Sequence, residues 1–146
     1  MRIALLSDEP AEIHGLVREL LRARGHHVVP YGAIATGQDC DWAPAAADGA
    51  LAIARGDCDE GIFFCWTGTG ISIAANKVAG IRAALCTDPE TAAGARVWNH
   101  ANVLCLSNRS LTEPVARAIL DAWFDTDPGE KGTDGVKLLR SYPSAE

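Results

Sequence analysis

The sequence predicts an α/β protein, a five-stranded parallel sheet with helices on both faces. Three observations carry this. Short apolar runs alternate with helical periodicity along most of the 146 residues. The inner runs lack polar alternation, as strands covered on both faces do. The segments between them are long enough for the crossovers that join parallel strands.

The first run, Arg2 to Ser7, is a buried strand. Pro10 follows, suited to a first helical turn because its missing N–H would be unpaired there anyway. Ile13, Leu16, Val17, Leu20 and Leu21 recur at the offsets of one helical face, and Gly25 stops the helix. His14, one position off that face, is expected to be solvated. His26 to Pro30 is the second strand, with both histidines at the surface. Tyr31 to Pro44 has no clear period. An Ala-rich helix spans roughly Ala45 to Arg55, and Gly61 to Cys65 is the third strand. The loop Thr67-Gly68-Thr69-Gly70 opens a helix from Ile71 to Lys77. Ile81 to Cys86 is the fourth strand, and Asp88-Pro89 caps a helix to about Trp98. Asn102 to Leu106 is the fifth strand. Thr112 is expected to cap a last amphipathic helix with Val115, Ala118, Ile119, Ala122 and Trp123 inward. Residues 1–125 thus form one domain. Residues 126–146 form a C-terminal tail, mobile or docked on a partner subunit, with a short helix near Val136 to Arg140.

The chain is 48% hydrophobic and 22% charged, with a net charge of −6. This is a globular balance without the basic stripe that nucleic acid or an anionic membrane would select. No apolar run approaches the roughly 20 residues that span a bilayer. The opening residues, too short for a signal-peptide core, read as strand. Five cysteines, an odd number without a Cys-x-x-Cys pair, suit a reducing compartment, so the expected location is cytoplasmic.

Ligands in such sheets sit beyond the carboxyl ends of the strands, here Ser7-Asp8, Cys65-Trp66-Thr67, Cys86-Thr87 and Leu106-Ser107. Cys65 is the most informative of these residues. It ends a buried strand and precedes a Gly/Thr loop that opens a helix, a setting that gathers backbone N–H groups and favours thiolate. A base beside an anion hole is what enolisation requires. The position alone fits a small buried hydrophobe equally well. Cys86 and Cys105 lack the glycine loop and read as that hydrophobe. The loop has neither the Gly-x-Gly-x-x-Gly spacing nor a P-loop lysine, which argues against a nucleotide site. Asp8 is either a ligand for a substrate hydroxyl or a helix cap.

The segment from Gly61 through Cys65-Trp66-Thr67-Gly68-Thr69-Gly70 to Lys77 resembles the signature of the type B ribose-5-phosphate isomerases, a family that includes the galactose-6-phosphate isomerase subunits. Gly80 to Cys86, Asp88-Pro89, Asn99 and Ala101 to Leu106 extend the resemblance, which covers roughly residues 1 to 125. It implies a Rossmann-like three-layer α/β/α sandwich. It further implies a homodimer or homotetramer with active sites at the subunit interface, and no metal or organic cofactor. The implied reaction interconverts an aldose and a ketose phosphate through a cis-enediolate. Cys65 would be the proton-transferring base, with Thr67 assisting at the sugar ring. Backbone N–H groups of Trp66, Gly68, Thr69 and Gly70 would form the anion hole. Asn99 would hold the enediolate, Asp8 and Asp41 sugar hydroxyls, and Arg109 phosphate.

The departures from the family pattern fall at the site. Glu9 stands where a phosphate-binding His is usual. Like charges about 4 Å apart cost roughly 4 kcal/mol even at an effective dielectric of 20. Trp98 replaces the His that opens the sugar ring, and indole is a donor only. His100 lies about 200° round a helix from that face. Trp66 replaces a glycine, Trp42 lies near Asp41, and the tail lacks the family's usual cluster of a His with paired arginines, with only Lys131, Lys137 and Arg140 nearby. Glu9 and Trp98 therefore line a changed substrate site. The expected substrate is a small sugar or sugar phosphate other than ribose 5-phosphate, and a four-carbon sugar would need no ring opening. The alternative is a non-catalytic sugar-binding or structural relative, against which the intact Cys65 and glycine loop argue.

Overall fold

Parallel strands all start from one end of a sheet, so the chain must return along the sheet between them, and helices make that return. The computed structural model describes residues 1–142. In it the strands β1 (Arg2–Ser7), β2 (His27–Gly32), β3 (Glu60–Cys65), β4 (Ala83–Leu85) and β5 (Val103–Ser107) form one all-parallel sheet. Their order is β2-β1-β3-β5-β4. The helices between them are α1 (Ile13–Ala23), α2 (Ala33–Thr36), α3 (Trp42–Ala54), α4 (Thr69–Ala75) and α5 (Pro89–Asn99). Two more, α6 (Glu113–Asp125) and α7 (Thr133–Ser141), follow β5. The architecture is the expected Rossmann-like α/β/α sandwich.

Successive strand residues point to opposite faces, and the alternation divides the core in two. Ile3, Leu5, Ile62, Phe64, Leu104 and Leu106 meet α1, α5 and α6, where Trp123 is fully buried. Ala4, Leu6, Phe63, Cys65 and Cys105 meet α3 and α4. The α3 side is nearly all alanine and glycine because Phe63 fills the space. A Cβ on Gly49 would come within 2.8 Å of that ring. Beneath α5 and α6, Glu60 accepts from Arg96 Nη1 at 2.7 Å and from Trp123 Nε1 at 2.9 Å. Pairing and hydrogen bonding satisfy a charge that burial alone would penalise heavily.

Several boundaries differ from the sequence expectation, each for a local reason. Helix α1 starts at Ile13, so Pro10 lies in the preceding turn and not in the first helical turn. Strand β2 runs on to Gly32 at the sheet edge, where Pro30 is tolerated. Helix α3 begins at Trp42 and takes in part of the stretch without clear period, which also holds the one-turn α2. Strand β4, at the other edge, is only three residues long. Asp88 does cap α5, accepting from Thr91 N at 2.7 Å, whereas Thr112 precedes α6 without a side-chain cap bond.

The tail packs on its own chain. Gly132 adopts φ +74° and lies directly on the Trp98 carbonyl, where a Cβ would collide. His100 Nε2 bonds the Lys131 carbonyl, and Val136 is buried. No helix among the described residues is long and apolar enough to cross a membrane.

Candidate active site

The chain leaves β1 toward β2 on one side and returns to place β3 on the other. The carboxyl ends of β1 and β3 therefore open a crevice between diverging connections, where such sheets bind ligands. Ser7 pairs with Phe64, so Asp8 and Cys65 sit side by side at its mouth.

Cys65 is buried and faces the α3–α4 layer. The turn after β5 holds it: Asn108 N donates to the Cys65 carbonyl at 2.9 Å, and Arg109 N to the Trp66 carbonyl at 3.1 Å. Ser107 Oγ donates to that same Trp66 carbonyl at 2.8 Å. Gly68 turns the chain into α4 at φ +77°, and a Cβ there would meet Leu85 at 2.6 Å and the Leu106 carbonyl at 3.1 Å. Only glycine makes this turn without strain. The first-turn N–H groups of α4, from Thr69 on, have no partner within the helix. Thr67 and Thr69 are exposed, and their hydroxyls bond each other at 2.6 Å. The indole of Trp42 lies against Gly70, 3.1 Å from where its Cβ would be, so this tryptophan walls the loop. Trp66 stands exposed beside it.

Cys105 in β5 and Cys86 just past β4 are buried in different surroundings. Cys105 is fully buried and pushed well above the ordinary range by desolvation, and burial takes Cys86 up to about 12.

Asp8 does not cap a helix, since α1 begins five residues later behind Glu12. Its Oδ1 is buried without a partner among the described residues. Burial first, then the neighbouring Glu9 carboxylate, raises its pKa. A buried acceptor without a donor at a crevice mouth is suited to a ligand hydroxyl. Asp41 is exposed at the start of α3, its side chain making no cap bond, on the same end of the sheet. Arg109 is exposed beside the Cys65 loop.

Trp98 and Asn99 do not join this group within one chain. They end α5, before β5 starts at Val103 opposite Gly61. Cys65 lies opposite Ser107, at the far end of the strand. Four strand steps separate the ends by about 13 Å. A cavity of about 740 Å³ lies at the Asn99 end, with Lys77, Arg82, Val136 and Arg140 in its wall. His100 leaves the helix at φ +45° and points to the tail.

The sequence reading missed two residues. His14 is buried, 6% exposed, with its ring 4.6 Å from that of Phe64. Asn108 bridges the strand ends on either side of β3, through Nδ2 to Ser7 Oγ at 3.1 Å and to Glu9 Oε1 at 3.2 Å. The signal for His14 was its spacing: His14, Val17 and Leu21 are the buried residues of α1, at offsets of three and seven.

A thiol, a glycine loop and an orphan carboxylate oxygen thus meet at the switch crevice of a parallel five-stranded sheet. The family model described as Ribose/Galactose Isomerase matches residues 3–138, and the chain belongs to that family. Ribose-5-phosphate isomerase B of Escherichia coli (strain K12) is 43% identical over 111 residues, 76% of this chain and 73% of that protein. D-erythrulose-4-phosphate isomerase of Pectobacterium atrosepticum is 36% identical over 128 residues, 87% of this chain and 84% of that one. Among solved structures, Clostridium thermocellum ribose-5-phosphate isomerase B matches with a TM-score of 0.87 and 34% identity. That match covers 96% of this chain and 95% of the other.

Proposed function

We propose that this enzyme interconverts a short ketose phosphate and its aldose, with a four-carbon sugar phosphate as substrate and Cys65 as the base. The Cys65 thiolate takes a proton from C1 of the ketose, and the electron pair moves into a cis-enediolate whose oxygens the Thr67–Gly70 loop holds. The thiol, whose proton exchanges with water, gives a proton to C2 while the C1 hydroxyl proton passes to the C2 oxygen, leaving an aldehyde at C1 and a hydroxyl at C2. The observation that carries this reading is the placement of Cys65 between a buried strand end and that loop. Asp8, with its unpartnered Oδ1, takes a substrate hydroxyl, and Asp41 takes another. Thr67 orients the sugar, and Trp42 and Trp66 shorten the space available to it.

Trp98 bears on chain length, since its indole cannot take up a proton to open a cyclic sugar and His100 is bonded to the tail. A four-carbon sugar with a terminal phosphate does not cyclise. The relative from Pectobacterium atrosepticum, a D-erythrulose-4-phosphate isomerase, fits this choice.

The separation of Asn99 from Cys65 implies that a second copy completes each site, as a homodimer or a dimer of dimers. Exposed Trp42, Trp66 and Ile73 at one end, and Trp98, Leu138 and Leu139 at the other, supply apolar surface for that contact. Arg109 from one subunit, with Arg82 and Arg140 beside the partner's Asn99, would neutralise the phosphate. Five free thiols support a reducing compartment, the cytoplasm, as its location.

The test is turnover of D-erythrulose 4-phosphate, D-ribose 5-phosphate and unphosphorylated D-erythrulose by the purified protein, followed by NMR. The expected order of kcat/KM puts D-erythrulose 4-phosphate first. Preference for D-ribose 5-phosphate would overturn the four-carbon assignment.

A further inference from the structure

Four side chains form a directed hydrogen-bond chain across the tip of β3. The Ala11 amide donates to His14 Nδ1 at 3.3 Å, so that nitrogen carries no proton. The ring proton therefore sits on Nε2, which meets Asn108 Oδ1 at 2.8 Å. That bond fixes the carboxamide: its oxygen faces His14, so its NH2 faces Ser7 Oγ and Glu9 Oε1. Ser7 Oγ is saturated in the same sense, donating to the Glu9 carbonyl at 2.7 Å and accepting from the Glu9 amide at 3.3 Å. Every side-chain donor points one way and the chain ends on a carboxylate. Asn108 is also the residue whose N–H binds the Cys65 carbonyl. The network is thus built on the strand tip that presents the thiol. Burial lowers the His14 pKa, in keeping with a neutral ring whose Nδ1 accepts.

We propose that His14 and Asn108 are positioning residues that lock Glu9 at the crevice mouth, and that Glu9 determines specificity there by accepting a neutral sugar hydroxyl and repelling phosphate. A carboxylate free to swing would move away from an approaching anion, whereas one held by a carboxamide stays and repels it. The substrate phosphate is then directed away from β1, toward Arg109 and the second subunit. The assignment rests on the sugar-isomerase reading of this site, but its physical core, a fixed carboxylate that excludes phosphate, does not require turnover.

The test has three readouts. Long-range ¹H–¹⁵N correlation on the histidine rings should report the Nε2–H tautomer for His14; an Nδ1–H tautomer would overturn the relay. Calorimetric titration with inorganic phosphate should show binding about tenfold tighter in Glu9→Gln than in the wild type, since one repulsive charge is removed. Equal affinity would overturn the repulsive role. Asn108→Ala and His14→Leu should each raise KM for D-erythrulose 4-phosphate about tenfold with a smaller change in kcat, as loss of a charge-assisted contact does. His14→Gln, which retains a neutral donor, should restore most of that loss. The same changes made in the Glu9→Gln background should add little, and additive effects would overturn action through Glu9. If the wild type turns over no sugar phosphate while the first two readouts come out as expected, the isomerase reading fails and the locked, phosphate-excluding Glu9 is supported.

Discussion

Cys65 and Cys105 lie on adjacent strands but in different surroundings. Cys105, fully buried in the same sheet, is held protonated by desolvation. Cys65 sits at the strand tip beside a glycine turn and the start of a helix. The contrast was legible in the sequence, because the Gly/Thr loop follows one cysteine and not the others. His14 was not legible in this way. It was set against a face counted from the leucines, while the packed face of α1 runs through His14, Val17 and Leu21. Its burial has a measurable consequence. Desolvation lowers its pKa first, Arg18 acts in the same direction, and the Asn108 bond and Glu9 only partly oppose them. Above the unfolded value of about 6.5 the ring is neutral in both states. As pH falls below it the unfolded chain takes up the proton first, so stability drops until the folded pKa is passed. His26, also lowered, acts in the same direction, whereas Asp8, raised by burial, acts oppositely at lower pH. Denaturant titrations between about pH 7 and 5 should therefore show a shallower loss in His14→Gln than in the wild type. Identical slopes would remove His14 from the account.

The strand–helix alternation came directly from the apolar runs, because strands covered on both faces leave no ambiguity of side. Edges were harder to read. Strands β2 and β4 have one neighbour each, so their ends are set by loop contacts such as Arg82 N to Asn102 Oδ1, and those pairings are non-local. The element that matters most to the site is the turn from β3 into α4. Gly68→Ala forces a positive φ on a residue with a Cβ and pushes it against Leu85 and the Leu106 carbonyl. The expected cost is about 1–3 kcal/mol of stability. A fall in kcat beyond what the loss of folded protein explains should accompany it, because the loop N–H groups move. Thermal unfolding and kcat measured on the same sample separate the two effects.

On the proposed reading, a second copy supplies what one chain does not bring together. The sheet's length keeps Asn99 away from Cys65 in the same chain, and this follows from β5 running between them. The sequence announced both residues through the family signature, but their separation emerges only from the topology. Mixing Cys65→Ser chains with Asn99→Ala chains should restore activity that neither has alone. With random pairing in a symmetric dimer, half the dimers are hybrids with one intact site each, or about a quarter of wild-type activity. No recovery after subunit exchange, verified by mass, would mean that each chain carries a whole site.

The central claim is proton transfer by Cys65, and isomerisation in D2O by the wild type and by Cys65→Ser, followed by NMR, tests it most directly. Solvent deuterium is expected at the carbon that gains the proton. A fall of about 10²–10⁴-fold in both rate and exchange is expected on Cys65→Ser. Turnover without deuterium in product or recovered substrate, or a Cys65→Ser enzyme that exchanges at the wild-type rate, would contradict it.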